Sequence, residues 1–301
     1  MILYDVAVTT PNLTVHLNTS VENVIGVETM NNKLGIASCY YSQSSASNWS
    51  IAAKAGITDA EISLSLYPPD VTPVLEDCES TYSDLTTGGL KVSSVHLPFH
   101  GDWDISEQDH TKWIDTIYRY KQLIKWTGEK RINIVILHSS GDYFDDNEYE
   151  NRIITARQAI KELYEYAKIM NVRIALENLI PNMLGATVGE LLYLTNNGEY
   201  AGICFDTNHL FFESHKEFIR KIGKHIITTH LSDYDRTGDV CRHWVIGDGC
   251  INWKELIENL SDAGYTGSYL FELNEPEPVN GIYFTPHDLV RRFYTHTGLK
   301  P

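Results

Sequence analysis

Four metal-capable side chains stand at the ends of short apolar runs in the second half of the chain. Each run has the length and composition of a β-strand. In a barrel of parallel strands the carboxyl ends share one face, and that face carries the chemistry. Three carboxylates and one imidazole that converge there predict a site for a divalent cation such as Mn²⁺, Zn²⁺, Co²⁺ or Mg²⁺. The four side chains and their runs are Glu177 in 172–178, Asp206 in 201–209, His230 in 226–233 and Glu272 in 267–274.

These runs belong to a longer alternation of strands and helices. The stretches 106–127 and 150–170 have apolar residues at helical spacing, and Thr187-Val-Gly-Glu190 matches a capping box. Such alternation implies parallel strands joined by right-handed crossovers, and eight units imply a closed (β/α)₈ TIM barrel. We therefore predict an α/β fold with a single barrel domain over residues 33–301. The predicted strands span 33–41, 57–66, 91–99, 131–139, 172–178, 201–206, 226–232 and 267–273.

Residues 1–32 precede this alternation and form a predicted N-terminal extension. Two short strand-like segments flank Pro11-Asn12, which predicts a β-hairpin. Such a hairpin would either close the bottom of the barrel or contact a partner chain, and the sequence leaves both roles open.

The charge of the chain argues against nucleic acid as a partner. The sequence has 301 residues, with 24 Lys+Arg against 40 Asp+Glu and a formal net charge of −16. A protein that holds nucleic acid usually presents a basic surface, and an acidic balance disfavours polyanionic partners. We therefore expect no nucleic acid as a partner, and a homo-oligomer is left open.

Cysteine usage and the absence of membrane signals predict a cytoplasmic protein. The five cysteines are odd in number and form no Cys-x-x-Cys pair, which indicates reduced thiols. The first residues lack the basic and long apolar regions of a signal peptide. No apolar run approaches the roughly 18 residues that a membrane span needs, so no membrane partner is expected.

The order of the strand-end motifs resembles that of the xylose-isomerase-like TIM barrels over residues 33–298. This superfamily includes sugar and sugar-phosphate isomerases and epimerases, inosose dehydratases, and zinc-dependent AP endonucleases. The resemblance implies that the four strand-end residues bind one divalent metal and that the substrate is a sugar or sugar phosphate. The motifs are Glu177-Asn178, Asp206-x-x-His209, His230-Leu-x-Asp233, Gly247-Asp-Gly-x-Ile-x-Trp253 and Phe271-Glu272.

The resemblance to the epimerases also implies a mechanism. A proton next to a carbonyl would be abstracted to give an enediolate, which the Lewis acidity of the metal stabilises. Glu177 and Glu272 would flank the reacting carbon, one removing the proton and the other returning it.

Five further side chains receive a role through the same resemblance. His96 and His138 end the third and fourth predicted strands, and in the isomerase branch such histidines more often contact substrate oxygens or a neighbouring ligand. His209, Arg242 and His243 are expected to contact substrate as well. An arginine suits that task because its planar fork grips a hydroxyl, carboxylate or phosphate through two contacts.

The endonuclease branch uses the corresponding positions differently. There, histidines like His96 and His138 bind a second metal with the shared glutamate, and residues like His209 and His243 bind a third. Cys241 stands where that branch has an aspartate, which weakens a third site without excluding it because thiolate binds zinc.

Three alternatives to an isomerase or epimerase therefore stay open at this point. They are an inosose-dehydratase-like lyase, an AP-endonuclease-like DNA repair hydrolase, and a non-catalytic sugar-binding barrel. Aromatic residues that follow strand ends are expected to wall the pocket against a sugar ring, namely Tyr40, Tyr41, Phe99, Trp103 and Tyr143.

Overall fold

The computed structural model describes residues 33–41, 44–64, 68–141, 144–235, 243–273 and 284–301. The predicted hairpin in residues 1–32 lies outside these described residues, as do Cys241, Arg242 and Tyr143.

Eight parallel strands within the described residues form one sheet in the order β7-β6-β5-β4-β3-β2-β1-β8. The pairing of β1 with β8 and a parallel bridge between Leu231 and Phe271 close the sheet on itself. This confirms the predicted (β/α)₈ barrel, although the strands are shorter than the predicted runs at one or both ends. Their bounds are β1 Leu34–Ala37, β2 Ile57–Ser63, β3 Lys91–His96, β4 Ile134–Leu137, β5 Arg173–Glu177, β6 Gly202–Asp206, β7 Ile226–His230 and β8 Tyr269–Phe271.

An α-helix follows each strand along the described chain. Asp109 caps the third helix by accepting from the backbone N–H groups of Thr111 and Lys112, so this helix begins four residues later than predicted. The predicted capping box between Thr187 and Glu190 is confirmed. The helices are α1 Ala46–Ala55, α2 Val71–Thr87, α3 His110–Glu129, α4 Tyr149–Ile169, α5 Val188–Leu194, α6 His215–Ile222, α7 Trp253–Asp262 and α8 Pro286–Thr297. None of the described helices is long and apolar enough to cross a membrane.

The alternation of side chains along each strand separates two apolar regions. The larger one fills the layer between strands and helices and contains Trp49, Phe205 and Trp253. A small second cluster consists of Ile134, Ile136, Ala175 and Cys204. Side chains two positions apart on a strand share a face, so this second cluster lies on the same strand faces as His138, Glu177 and Asp206. The site residues therefore stand at the end of the barrel interior, which is apolar along β4, β5 and β6.

Candidate active site

The four predicted metal ligands come together at the carboxyl ends of β5 to β8. Glu177, Asp206, His230 and Glu272 each offer a ligand atom, and these atoms all lie within 4.8 Å of one another. The Nδ1 atom of His230 is 3.3 Å from a carboxylate oxygen of Glu177, 3.3 Å from one of Glu272 and 3.9 Å from Oδ2 of Asp206. We call these four residues the carboxylate–histidine ring.

Two buried polar atoms of the ring have no hydrogen-bond partner among the described residues. They are Nδ1 of His230 and Oδ2 of Asp206. Both side chains are fully buried, and a buried polar atom that lacks a partner costs free energy. Three carboxylates and one imidazole are a donor set that divalent cations accept. The ring therefore fits a divalent cation, with these two atoms as natural ligands.

Glu61 belongs to the site although no sequence motif marks it. Its Oε1 lies 3.0 Å from Nε2 of His230, and its Oε2 accepts a 2.7 Å hydrogen bond from the Ser94 hydroxyl. A proton on Nε2 that is donated to Glu61 leaves the lone pair of Nδ1 pointing at the ring, which is the tautomer a metal requires. The signal for Glu61 was a carboxylate in the middle of an apolar strand, between Ala60 and Ile62, since glutamate is rarely fully buried without a partner.

Replacement of Glu61 by methionine should raise the dissociation constant for Mn²⁺ about 10- to 100-fold, the scale of losing a group that orients a metal-binding histidine. Glu61→Gln keeps an oxygen that accepts a hydrogen bond from Nε2 of His230, so the loss of Mn²⁺ affinity should be smaller in this variant. Competition with a chromogenic chelator measures both affinities. An unchanged affinity in the folded Glu61→Met variant would contradict the orienting role.

Three more predicted histidines surround Glu177. Nε2 of His96 and Nε2 of His138 each lie 3.2 Å from its Oε2, and Nδ1 of His209 lies 3.2 Å from its Oε1. Burial alone would raise the pKa of Glu177, but His230 and His138 outweigh it and hold that pKa well below its usual range. Burial lowers the pKa of His138 to about 4, so its imidazole is neutral at pH 7. Glu177 is thus a buried, ionised carboxylate surrounded by imidazoles.

The other two carboxylates of the ring differ in proton affinity. Burial raises the pKa of Asp206 to about 6, against the opposing effect of His209. Burial also acts to raise the pKa of Glu272, but His230 and His243 reverse the direction and lower it. Metal binding requires deprotonated ligands and releases protons, so a cation in the ring would displace any proton that Asp206 holds.

Reciprocal hydrogen bonds between neighbouring loops hold the ring in place. The Asn178 side chain donates to the Asp206 carbonyl at 2.9 Å and accepts from the Asp206 N–H at 2.8 Å. Thr207 donates through its hydroxyl to the Ser232 carbonyl at 2.7 Å. These bonds explain the asparagine in the Glu177-Asn178 motif, because it ties the end of β5 to the end of β6.

Asp233 explains why the sequence after β7 carries Gly-Asp-Gly-x-Ile-x-Trp. Its buried carboxylate accepts from the backbone N–H groups of Gly247 at 2.9 Å and Ile251 at 3.2 Å. It also accepts from the indole of Trp253 at 2.9 Å. Asp233 is therefore a structural residue that fastens this loop.

Four further groups of described residues offer ligand atoms to a cation, and two of them correspond to the second and third metal sites expected for the endonuclease branch. His96, His138 and Glu177 form one, and Asp206, His209 and His243 form the other. His243 has the left-handed backbone angle φ of 45°, which is uncommon outside glycine. The structure thus brings together all the predicted site residues that it describes, and Arg242 lies outside the described residues.

A cavity of about 320 Å³ opens over the ring. Of the predicted aromatic wall, Phe99 lines this cavity, but the expectation is wrong for Tyr40 and Trp103. Both are fully buried in the larger apolar cluster, where the Tyr40 hydroxyl donates to the Phe284 carbonyl and the Trp103 indole donates to the Pro68 carbonyl. The cavity is lined by His96, Phe99, His100, His138, Gly141, Glu177, Leu179, Ile180, Met183, His209, His243 and Glu272.

The fold and the ring define a (β/α)₈ barrel with a ligand set for a divalent metal at the carboxyl ends of its strands. The family model for the xylose isomerase-like TIM barrel matches residues 49–291. The chain therefore belongs to this family.

Two curated relatives are similar to a large part of the chain. One is an uncharacterized protein of Methanocaldococcus jannaschii, 29% identical over 185 residues that make up 58% of this chain and 61% of the relative. The other is the L-ribulose-5-phosphate 3-epimerase UlaE of Escherichia coli, 24% identical over 191 residues, 62% of this chain and 65% of the relative. The chain thus matches less than two thirds of the length of each.

A solved structure is similar over nearly the whole barrel. It is the D-psicose 3-epimerase from Clostridium cellulolyticum H10 with D-tagatose, which matches at a TM-score of 0.69 and 19% identity. The match covers 88% of this chain and 97% of the epimerase. At this identity the similarity supports the fold.

Proposed function

We propose that the protein is a metal-dependent sugar or sugar-phosphate isomerase or epimerase. The carboxylate–histidine ring carries this proposal, since it leaves Nδ1 of His230 and Oδ2 of Asp206 buried without a hydrogen-bond partner beside Glu177 and Glu272, which line a cavity. The named relatives and the similar structure that act on ketoses or ketose phosphates support the same class.

The proton transfers are assigned to Glu177 and Glu272. Both line the cavity, and both have carboxylate oxygens 3.3 Å from the same imidazole nitrogen, so they converge on one small volume. One carboxylate removes the proton next to the substrate carbonyl, and the other returns a proton to the same carbon. The side chain of Glu272 is 19% exposed against 1% for Glu177, so Glu272 is the more open to substrate.

A bound divalent cation would supply Lewis-acid stabilisation of the negative charge that develops on the substrate oxygens. Its identity as Mn²⁺, Zn²⁺, Co²⁺ or Mg²⁺ is left to metal analysis. His96, His138 and His209 lie 3.2 Å from Glu177, and His243 lies 3.7 Å from the Glu272 carboxylate. We assign these four histidines to the substrate oxygens. Arg242 remains a predicted substrate contact.

A screen of ketoses and their phosphates, with each of the four metals added to the chelator-treated protein, tests this function. We expect an epimer or an aldose–ketose isomer of one substrate to form only with metal, as nuclear magnetic resonance would detect. Elimination of water instead would favour the dehydratase alternative. Sugar binding without any turnover would favour the non-catalytic barrel.

The nuclease alternative has one observation in its favour, because the groups His96–His138–Glu177 and Asp206–His209–His243 are both assembled. We nevertheless expect no incision of abasic-site duplex DNA and no salt-sensitive DNA binding. Duplex DNA carries one charge per about 1.7 Å, and binding it depends on neutralising phosphates with Lys or Arg, which the net charge of −16 opposes. A gel assay with an abasic oligonucleotide and Zn²⁺ or Mn²⁺ at low salt measures both incision and DNA binding. Metal-dependent cleavage that is lost in Glu272→Gln would overturn the isomerase proposal.

Residence in the cytoplasm and assembly into a homo-oligomer stay predictions. Light scattering coupled to size-exclusion chromatography measures the oligomeric state.

A further inference from the structure

We infer that Arg152 and Asp104 are positioning residues for His138, an inference that rests on the isomerase or epimerase function proposed above. They act through Phe99, whose ring covers one face of the His138 imidazole. Neither Arg152 nor Asp104 is among the described residues that line the cavity. Any influence of these two residues on the reaction therefore passes through the structure that lies between them and the site.

The His138 imidazole is held by one hydrogen-bond partner and one stacked ring. Its Nε2 lies 3.2 Å from Oε2 of Glu177, and the Phe99 ring stacks on it with centroids 3.8 Å apart and planes at 24°. No described residue forms a hydrogen bond with its buried Nδ1. His96 differs, since its Nε2 contacts the same carboxylate and its Nδ1 lies 2.9 Å from the Leu97 carbonyl oxygen. The plane of the His138 ring therefore depends on Phe99.

Phe99 is in turn held against the loop that follows β4. A Cβ on Gly141 would overlap the Phe99 carbonyl oxygen and would lie 3.0 Å from Cβ of Asp104, so glycine is what allows the two loops to approach so closely. The N–H of Gly141 donates to the Asp104 carboxylate. The Tyr120 hydroxyl donates to the carbonyl of Pro98, the residue before Phe99, at 2.6 Å. The backbone at Phe99 is thus anchored at two points.

Arg152 on α4 supports the first of these anchors. Its Nη1 lies 3.1 Å from Oδ2 of Asp104, and the two side chains are only 18% and 12% exposed. Oδ1 of Asp104 accepts from the N–H and the hydroxyl of Ser106, both at 2.7 Å. A buried carboxylate that loses a charged partner is strongly destabilised. Removal of the Arg152 guanidinium should therefore loosen the contact between Asp104 and Gly141, and with it the position of Phe99.

Nuclear magnetic resonance of isotope-labelled histidine side chains tests the position of His138 without any substrate. The protein is saturated with Zn²⁺, which is diamagnetic, and the spectrum of His138→Gln identifies the His138 signals. Arg152→Gln should shift or broaden these signals. The matched control is Arg157→Gln on the same helix, whose guanidinium bonds the Tyr193 carbonyl at 2.7 Å, and it should leave them unchanged. Unchanged His138 signals in the folded Arg152→Gln variant would contradict the positioning role.

The kinetic test is a double-mutant cycle on a substrate that the wild type converts. Arg152→Gln should lower kcat/KM about three- to tenfold, the scale of one aromatic stacking contact. In the His138→Gln background the same change should lower it by less than about twofold, because residues that act through one group are not additive. Arg157→Gln should change kcat/KM by less than about twofold in both backgrounds. Equal losses from Arg152→Gln in both backgrounds would show that Arg152 supports only the fold, which contradicts the inference.

Asp104→Asn repeats the test in case Arg152→Gln does not fold. It keeps the volume of the side chain but leaves one oxygen for donors that now share two, so it should shift the same His138 signals. Unchanged signals in this variant would likewise overturn the inference.

The resonance measurement separates this inference from the function on which it rests. Altered His138 signals in both variants of a protein that converts no ketose would retain the positioning role and count against the isomerase or epimerase. Unaltered signals together with wild-type conversion of a ketose would retain the enzyme and overturn the positioning role.

Discussion

Replacement of Glu272 by glutamine is expected to lower turnover at least about 10²-fold, the usual scale for losing a general acid or base. The same loss is expected for Glu177→Gln. An amide has nearly the shape of the carboxylate but cannot take up a proton, so substrate should still bind. Initial rates under metal saturation measure the effect.

The matched control for these two variants is Glu258→Gln, which makes the same change at an exposed position of α7. It should keep the turnover of the wild type. Metal content is measured in all three variants, because Glu177 and Glu272 are also ring members. Wild-type turnover in either Glu177→Gln or Glu272→Gln would remove that residue from the proton transfers.

Removal of Asp206 should abolish metal binding. Asp206 contributes a buried carboxylate oxygen that accepts no hydrogen bond from the described residues. Asp206→Ala removes this oxygen, so only three of the four proposed metal ligands remain. The metal content measured by elemental analysis should fall from about one ion per chain in the wild type to almost none in Asp206→Ala. Added Mn²⁺ should also raise the melting temperature of the wild type but not of the variant, since a ligand at about 1,000 times its dissociation constant stabilises a fold by about 4 kcal/mol.

Asp59→Asn is the control for the metal experiment. Asp59 is a buried carboxylate on β2 that bonds the neighbouring Thr58 hydroxyl at 2.7 Å, and it belongs to none of the metal-capable groups among the described residues. Its metal content should equal that of the wild type. Equal metal in wild type and Asp206→Ala would show that the ion binds elsewhere.

The barrel could be predicted because strand and helix patterns alternate eight times along the chain. Its strand bounds were predicted less well, because the pairing in the sheet ends before the predicted runs do. Residues 131–139 were predicted as one strand, for example, whereas β4 spans Ile134–Leu137. Ser139 and Ser140 beyond it instead bond the loop that follows β5.

The site was predictable where a polar side chain ends a strand and not elsewhere. Glu61 lies inside a strand, and its importance depends on His230, which is 169 residues away in sequence. Met183 and Ile180 look like ordinary core residues, because composition does not show that their loop turns back over the cavity. Trp103 follows a strand as Phe99 does, but its buried indole bonds the Pro68 carbonyl and does not line the cavity.

The central claim is that the ring supports proton exchange at the carbon next to a carbonyl and needs a metal to do so. The most direct measurement is transfer of solvent deuterium into that carbon during turnover in heavy water, with and without removal of the metal. We expect one deuterium per product molecule at this carbon with metal, and none after chelation or in Asp206→Ala. Product that forms without any solvent deuterium at that carbon would contradict the account and favour a hydride shift.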